Sequence, residues 1–288
     1  MINNKKVFPY LLVTPTLLLI LLVVIYPLIY LFRSSLYDFV LIRQSQKVFV
    51  GLGNYWELIT NRDFWFSFLI TLEYVLSSTL ITFLLGFGVA LVLNEKLRFT
   101  RIFRSIYLLP MVATPVIVAL TWRHMWDYRF GIINFFLGKL GLGPFLWLAD
   151  TKIALVSIII TDVWQWTPFV ILVLGAGLAV VPTQLYEAAM VDGCSVWQRF
   201  LNITLPSMKK IIGLVIAIRI MDLFRNADLV YVVTSGGPGT STEVLAYSVF
   251  RKAFVSFQIG KAAALAIILV ILTTIIVKNL LDRFEIKL

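Results

Sequence analysis

Residues 187–206, EAAMVDGCSVWQRFLNITLP, separate two long apolar runs in the second half of the chain. Apolar runs of about 20 residues or more that show no alternation are typical of helices that cross a membrane. The segment between them contains the acidic residues Glu187 and Asp192, together with the helix-ending residues Gly193 and Pro206. We therefore expect a structured loop at one surface of the membrane, with a spanning helix on either side of it.

Two short helices are predicted within this loop. Pro182 is a favourable first residue for a helix, and Gly193 permits a left-handed turn at its end. Leu205-Pro206 is expected to end the second helix before the next span begins. The apolar and small residues of the two helices are Leu185, Ala188, Ala189, Val191, Trp197, Phe200 and Leu201. Alanines at the surface permit docking into a groove of another protein, and an amphipathic hairpin lying on the membrane is the alternative.

The composition of the whole chain excludes several classes of protein. Its 288 residues are 60% hydrophobic with a mean hydropathy of +0.93, which is too apolar for a soluble domain, and the runs lack the alternation of a β-barrel. The net charge of +10 is interpreted as Lys and Arg flanking the spans rather than as a nucleic-acid surface. The single Cys194 and single His124 leave no internal disulfide, Cys-cluster metal site or His-based catalytic set. The chain also lacks a G-x-x-x-x-G-K-[ST] loop for ATP.

Six apolar segments are each long enough to cross the hydrocarbon core of a bilayer. The predicted fold is an all-α integral membrane protein, a single domain over 1–288, with a loop at about 182–206 between the fourth and fifth spans. The basic and then apolar N-terminus is too long for a signal peptide and is interpreted as an uncleaved first span. Pro115 and Pro168 lie inside the third and fourth spans. The predicted spans are about 9–32, 68–93, 104–126, 153–179, 208–233 and 260–281.

The orientation in the membrane is predicted from one short loop. The segment from Asn94 to Arg104 holds four basic residues among eleven, and short basic loops stay in the cytoplasm. Six spans then place both termini in the cytoplasm, and the loop at 182–206 faces the same side.

The pattern of residues 187–206 is EAA, three residues, G, nine residues and I-x-LP. It resembles the cytoplasmic coupling loop of the permease subunits of binding-protein-dependent ABC importers. The resemblance implies that this loop docks into a cleft of an ATPase subunit and transmits its closure to the spans. Through this resemblance the coupling role is assigned to Glu187, Ala188, Ala189, Asp192 and Gly193. Cys194 departs from the small residue, usually alanine, found at its position.

Other elements resemble the carbohydrate branch of this family, the group that includes the maltose and glycerol-3-phosphate importers. They are Gly51-Leu52-Gly53-Asn54-Tyr55 with Phe64-Trp65, Thr234 with Gly236-Gly237-Pro238 and Thr242, Ala246-Tyr247, Phe250, Ala253-Phe254, and Gly260-Lys261-Ala262-Ala263-Ala264. The Thr-x-Gly-Gly-Pro element suggests the first of the two permease types in such systems.

The resemblance implies a multi-pass protein of a prokaryotic cytoplasmic membrane that contacts membrane lipid and no nucleic acid. The implied partners are a second permease, two ATPase subunits that bind ATP and Mg²⁺, an extracytoplasmic solute-binding protein and a sugar. The chain is then not an enzyme and binds no cofactor of its own.

Polar residues inside two spans are the candidates for the path of the substrate, because charges within a membrane are costly and are functional candidates by default. The fourth span carries Asp162, Gln165, Trp166 and Phe169 on one helical face, and the fifth carries Arg219, Asp222 and Asn226 on one face. Hydrogen-bonding groups beside aromatic rings suit a sugar. The alternative is that Arg219 pairs with Asp222 within its own helix and holds helices together.

The charges also bear on the class of substrate. Arg219 and Arg225 suggest an anionic ligand, yet Asp162, Asp222 and Asp228 offset them. A neutral mono- or oligosaccharide is therefore favoured over glycerol 3-phosphate or an acidic sugar. A stand-alone secondary transporter is a further alternative, although the inverted repeats expected for one are not seen. A membrane-embedded enzyme is less favoured because no nucleophile–base set is apparent.

Overall fold

The computed structural model describes residues 4–42, 47–94 and 100–286, and nearly all of its regular structure is helical. The described elements are α1 (Asn4–Ile20), a π-helical turn (Leu21–Ile25), α2 (Tyr26–Ser35), β1 (Tyr37–Asp38), β2 (Val48–Phe49), α3 (Gly53–Thr60), α4 (Arg62–Asn94), α5 (Thr100–Val112), α6 (Pro115–Met125), α7 (Ile132–Lys139), α8 (Ala154–Val180), α9 (Thr183–Val191), α10 (Val196–Arg199), a π-helical turn (Phe200–Thr204), α11 (Leu205–Arg225), α12 (Asp228–Val233), α13 (Leu245–Phe250), a π-helical turn (Arg251–Val255) and α14 (Ile259–Arg283). The two-residue strands are a small departure from the all-α prediction.

Among the described residues, five helical stretches are long and apolar enough to span a membrane, and one further pair of helices meets at a sharp bend. The continuous stretches are Leu12–Ser35, Arg62–Asn94, Ala154–Val180, Val196–Arg225 and Ile259–Arg283. Six spans were predicted, and this part of the chain has five, or six if the bent pair is counted as one. The short basic loop used to predict the orientation lies partly outside the described residues, at 95–99, so the orientation stays a prediction.

The third predicted span, 104–126, is broken rather than continuous. Its two halves, Ile106–Val112 and Pro115–Met125, meet at an angle of 108°. Thr114 has an extended backbone (φ −64°, ψ 144°) and Pro115 begins α6. A proline disfavours helical backbone in the residue before it and lacks the N–H that would continue the helix. The sequence therefore contains the cause of the break, but the prediction of one continuous span was wrong.

The fifth predicted span, 208–233, also has different limits. The helix starts at Val196 and runs without interruption to Arg225, where Asn226 (ψ 92°) separates it from α12. The prediction that Leu205-Pro206 ends a separate helix was wrong. The π-helical turn at Phe200–Thr204 lets the Leu205 N–H bond to the carbonyl of Phe200, five residues back. Pro206 then falls in the first turn of α11, where its missing N–H is tolerated.

The described residues divide into two compact units, Met1–Phe64 with Ser248–Val270, and Trp65–Tyr247 with Ile271–Leu288. In the first, Asn54 Nδ2 donates to the carbonyls of Ser35 (2.8 Å) and Tyr37 (2.9 Å). The Gly260 N–H donates to Phe39 O at 3.1 Å, and a Cβ at Gly260 would fall 2.1 Å from Tyr37 O. Asn54 and Gly260, both singled out in the sequence, therefore hold the same piece of backbone.

In the second unit, helices α4, α8 and α11 pack around an apolar core. Its buried members are Phe87, Ala90, Val170, Ile171, Leu174, Leu178, Met208, Ile212 and Val215. Glycines let these helices approach closely, as is common between membrane helices. A Cβ at Gly86 would lie 2.6 Å from Val170 Cγ1, and one at Gly177 would lie 2.8 Å from Ile211 Cδ1.

Candidate functional site: the α9 loop and a polar cavity

Helix α9 ends in a turn that requires a left-handed residue. Gly193 has φ +75°, its N–H donates to Met190 O at 3.1 Å, and the Cys194 N–H donates to Ala189 O at 2.9 Å. These two bonds are the Schellman motif, which satisfies the last carbonyls of a helix. The left-handed backbone predicted at Gly193 is thus confirmed, and its cause is helix termination.

A capping box then starts the second helix of the loop. The Gln198 N–H donates to Ser195 Oγ (3.3 Å), and the Ser195 N–H donates to Gln198 Oε1 (2.7 Å). These bonds satisfy backbone donors at the helix start. The chain between Gly193 and Val196 therefore has a defined geometry, and α9 is held at a fixed angle to the long helix that follows it.

One contact joins the two ends of the loop, and a second attaches the loop to α4. Tyr186 Oη and Thr204 Oγ1 are hydrogen-bonded at 2.9 Å, which joins α9 to the π-helical turn at the base of α11. The ring of Phe200, in the same turn, lies 5.8 Å from that of Phe87 in α4. A displacement of α9 therefore acts on α11 through Thr204.

The outer face of the loop is exposed and largely apolar. Ala189 is buried, whereas Glu187, Ala188, Asp192 and Gly193 are exposed. Large apolar side chains surround these residues and are also exposed, a combination that is rare on soluble proteins. They are Leu185, Met190, Val191, Val196 and Trp197, of which Val191 is the most exposed at 88%. An exposed apolar patch rimmed by polar groups is typical of a surface that binds another protein or a membrane.

The polar residues predicted in the two spans meet around one buried ion pair. Arg219 Nη2 lies 2.5 Å from Asp162 Oδ2, and both side chains are at most 2% exposed. The guanidinium also lies over the ring of Trp166, 5.3 Å from its centroid. The alternative pairing of Arg219 with Asp222 is not formed, since Asp222 pairs instead with Arg225 at 2.6 Å. The Asp162–Arg219 pair joins α8 to α11.

A cavity of about 240 Å³ opens beside this pair. It is lined by Pro115, Trp166, Arg219, Asp222, Arg225, Asn226 and Asp228. Four of the seven predicted path residues, Trp166, Arg219, Asp222 and Asn226, thus share one wall. Asp162 and Gln165 are buried and are not among the lining residues. Phe169 contacts Trp166 edge-on (6.3 Å between ring centroids) and packs against the apolar core.

Tyr74 belongs to this cluster and was missed from the sequence. It is fully buried in α4, and its Oη accepts a hydrogen bond from Asn226 Nδ2 at 3.2 Å. Asn226 lies at the break between α11 and α12 rather than on the helical face of Arg219. A tyrosine within an apolar run gives no signal of a polar partner, so only the packing of α4 against the break reveals it.

A second, larger cavity of about 830 Å³ is lined by α4, α5, α6 and α8. Its walls include Leu85, Leu109, Ile160 and Trp164, and nearly all of its lining is apolar. Such a wall offers few hydrogen-bonding groups to a sugar, so the polar cavity is the better candidate for the path.

Within residues 4–42, 47–94 and 100–286, no three His, Cys, Asp or Glu side chains gather as a metal site would require.

Comparison with known proteins decides the family. Residues 82–286 match the family described as binding-protein-dependent transport system inner membrane component. The chain belongs to this family. It is therefore a multi-pass membrane component of a binding-protein-dependent transport system, which removes the secondary-transporter and enzyme alternatives.

Relatives and a solved structure agree with this membership. The chain is 37% identical over 280 residues to the trehalose/maltose transport system permease protein MalF of Thermococcus litoralis. The match covers 96% of this chain and 94% of the relative. It is 33% identical over 261 residues to the trehalose transport system permease protein SugA of Mycobacterium tuberculosis, with 90% and 83% covered. Its fold is similar, with a TM-score of 0.85 at 22% identity and with 98% and 97% covered, to a chain of a bacterial ABC transporter involved in the import of the acidic polysaccharide alginate.

Proposed function

We propose that this chain is the permease subunit of an ABC importer and that it forms the path of a neutral mono- or oligosaccharide. The relatives whose names mention trehalose and maltose support a sugar as the substrate. The paired charges beside the 240 Å³ cavity favour an uncharged ligand over glycerol 3-phosphate or an acidic sugar.

The observation that carries the proposal is the connection from the exposed α9 loop to the polar cavity. The loop presents Glu187 and an apolar face to a partner, and Tyr186 ties it to Thr204 at the base of α11. The same helix carries Arg219 at the cavity. A partner that moves α9 would therefore move a wall of the cavity.

The proposed partners are those implied by the family to which the chain belongs. A second permease completes the path, and two ATPase subunits bind ATP and Mg²⁺ and engage Glu187, Ala188, Ala189, Asp192 and Gly193. An extracytoplasmic solute-binding protein delivers the sugar. Both termini and the α9 loop then face the cytoplasm, in the cytoplasmic membrane of a prokaryote, and the chain acts as one membrane domain.

The test uses the whole assembly in proteoliposomes, with binding protein on one side and ATP on the other. We expect labelled trehalose or maltose to accumulate only with ATP and with the binding protein present. The chain without its ATPase subunits should hydrolyse no ATP. Accumulation driven by an ion gradient in the absence of the ATPase subunits would contradict the proposal.

A further inference from the structure

The charges around the polar cavity are arranged in pairs. Arg219 lines the cavity and is paired with Asp162, and Arg225 lines it and is paired with Asp222. Asp228 also lines the cavity and is exposed, and it is the third carboxylate of this cluster beside Asp222 at the wall and Asp162 behind it. Two cations thus stand against three anions, so a ligand in the cavity meets one negative charge in excess.

The two partners of Arg219 act on it in different ways. Asp162 has no exposed surface and does not line the cavity, so it reaches a ligand only through the guanidinium. Trp166 lines the cavity and lies over the same guanidinium. No described residue accepts a hydrogen bond from Nε or Nη1 of Arg219. Both nitrogens are themselves buried, so Arg219 acts on the cavity through its charge, which Asp162 compensates from behind.

We propose that Asp162 determines the charge specificity of the path: by neutralising Arg219 it stops the cavity from attracting anions, so uncharged sugars are admitted and uronates or phosphorylated sugars are rejected. This inference rests on the proposed function. Asp162 is a positioning residue, because it touches Arg219 and not the ligand. A purely structural ion pair would instead affect neutral and anionic ligands alike.

The test measures the electrostatic preference of the cavity with thiol reagents. In a Cys194→Ser background, Asn226→Cys places a thiol at the cavity wall. The whole assembly is then treated with a cationic and an anionic methanethiosulfonate reagent of similar size. Each rate is divided by the rate at Phe130→Cys, whose parent side chain is 90% exposed, which cancels the intrinsic reactivity of the reagents.

We expect the cationic reagent to react faster at the cavity, and Asp162→Asn to lower the cation-to-anion ratio about tenfold, since it leaves one buried cation uncompensated at short range. Asp162→Asn combined with Arg219→Gln should return the ratio to its original value. That double variant leaves no unpaired buried charge. It can therefore still test the proposal if the single variant does not assemble. A ratio that rises in the double variant would show that the charge of Arg219 was not compensated, and would overturn the proposal.

A second arm uses sugars as the probe. Protection of the Asn226→Cys thiol by maltose is compared with protection by glucuronic acid, at equal concentrations. Glucuronic acid should protect only when Asp162 is replaced by Asn. Equal gains or losses for both sugars would mean a structural role. If the thiol reacts with neither reagent in any nucleotide state, both this inference and the proposed path fail; if it reacts but the ratio ignores Asp162→Asn, only the specificity role fails.

Discussion

The ring of Phe284 lies directly against the backbone of Gly213. A Cβ built at Gly213 would fall 2.4 Å from Phe284 Cγ, closer than non-bonded atoms approach. Phe284 follows the last residue of α14 and packs on the apolar core of α4, α8 and α11. This contact fixes the end of the last span to the first half of α11, the helix that follows the α9 loop.

Gly213→Ala should displace Phe284 and destabilise this end of the molecule. Overpacking of a filled site costs about 1–3 kcal/mol, which exceeds the gain of about 0.5–1 kcal/mol from replacing a helical glycine. The matched control is Gly88→Ala in α4, where no atom lies within 4 Å of the new Cβ. Thermal unfolding of the purified assembly should fall for the first variant and be unchanged or higher for the second. Equal behaviour of the two would contradict the packing described.

Acid should loosen the C-terminal segment that follows α14. Glu285 has a left-handed backbone (φ 59°), and its carboxylate accepts a hydrogen bond from Lys209 Nζ at 2.5 Å. That hydrogen bond and the charge of Lys209 lower the pKa of Glu285 below its ordinary value of 4.5. A carboxyl with a lowered pKa stabilises the folded state above its ordinary pKa, and this contribution disappears as the pH falls through the lowered value. Because both groups are exposed, the effect is small and sensitive to salt.

Hydrogen exchange of the peptide that contains Glu285 measures this effect. After correction for intrinsic exchange, protection should decline as the pH falls below about 4.5, and Glu285→Gln should show low protection at all pH values. High salt should have the same effect as the substitution. Identical pH profiles for the two proteins would exclude a role for the Lys209 contact.

The Schellman turn predicts which replacements of Gly193 are tolerated. Its φ of +75° is strained for any side chain, and most for a β-branched one, although nothing lies within 4 Å of a new Cβ. Gly193→Val should therefore reduce co-purification of the ATPase subunits, while Gly193→Asn, which accepts left-handed backbone, should retain most of it. Glu187→Lys should lower co-purification without altering the turn. If both Gly193→Val and Glu187→Lys retain the ATPase subunits at the original level, α9 is not the docking helix.

Cysteine reactivity separates the cavity wall from the residues behind it. In a Cys194→Ser background, Asn226→Cys should react quickly with a small water-soluble reagent. Gln165→Cys should be slow, because Gln165 is 2% exposed, although its place in the polar stripe predicted the opposite. Val163→Cys and Ile220→Cys, at buried positions of the same helices, are the slow references. Fast reaction at 165 together with slow reaction at 226 would mean that the path lies on another face.

The sequence predicted the features that depend on one helix at a time. Four of the six predicted apolar runs, 9–32, 68–93, 153–179 and 260–281, lie in single helical stretches because their length and composition require it. Gly193 adopts the predicted backbone because its role is local. Prolines show where local reasoning stops: Pro115 begins a new helix after a break, Pro168 lies inside α8, and Pro206 follows a π-helical turn within a continuous helix. Pro168 is buried, and in a spanning helix neighbouring groups re-satisfy the backbone groups that a proline leaves free.

The polar cluster could be predicted only in part for the same reason. Helical periodicity grouped Asp162 with Trp166 and Arg219 with Asp222. The partner of Arg219 depends on the rotation of α8 relative to α11, which no single helical pattern contains. Asn226 does not lie on its predicted helical face, because α11 ends one residue before it. Tyr74 joins the polar cluster only because tertiary packing brings it to Asn226.

The central claim is that movement of the α9 loop changes access to the polar cavity. The direct measurement is the rate at which the thiol of Asn226→Cys reacts with a reagent added from the side of the binding protein, with and without a non-hydrolysable ATP analogue. In the whole assembly the analogue should raise this rate severalfold, and Gly193→Val should abolish the response while Gly193→Asn preserves it. A rate that is independent of nucleotide, or a response that is equal in Gly193→Val and Gly193→Asn, would contradict the account.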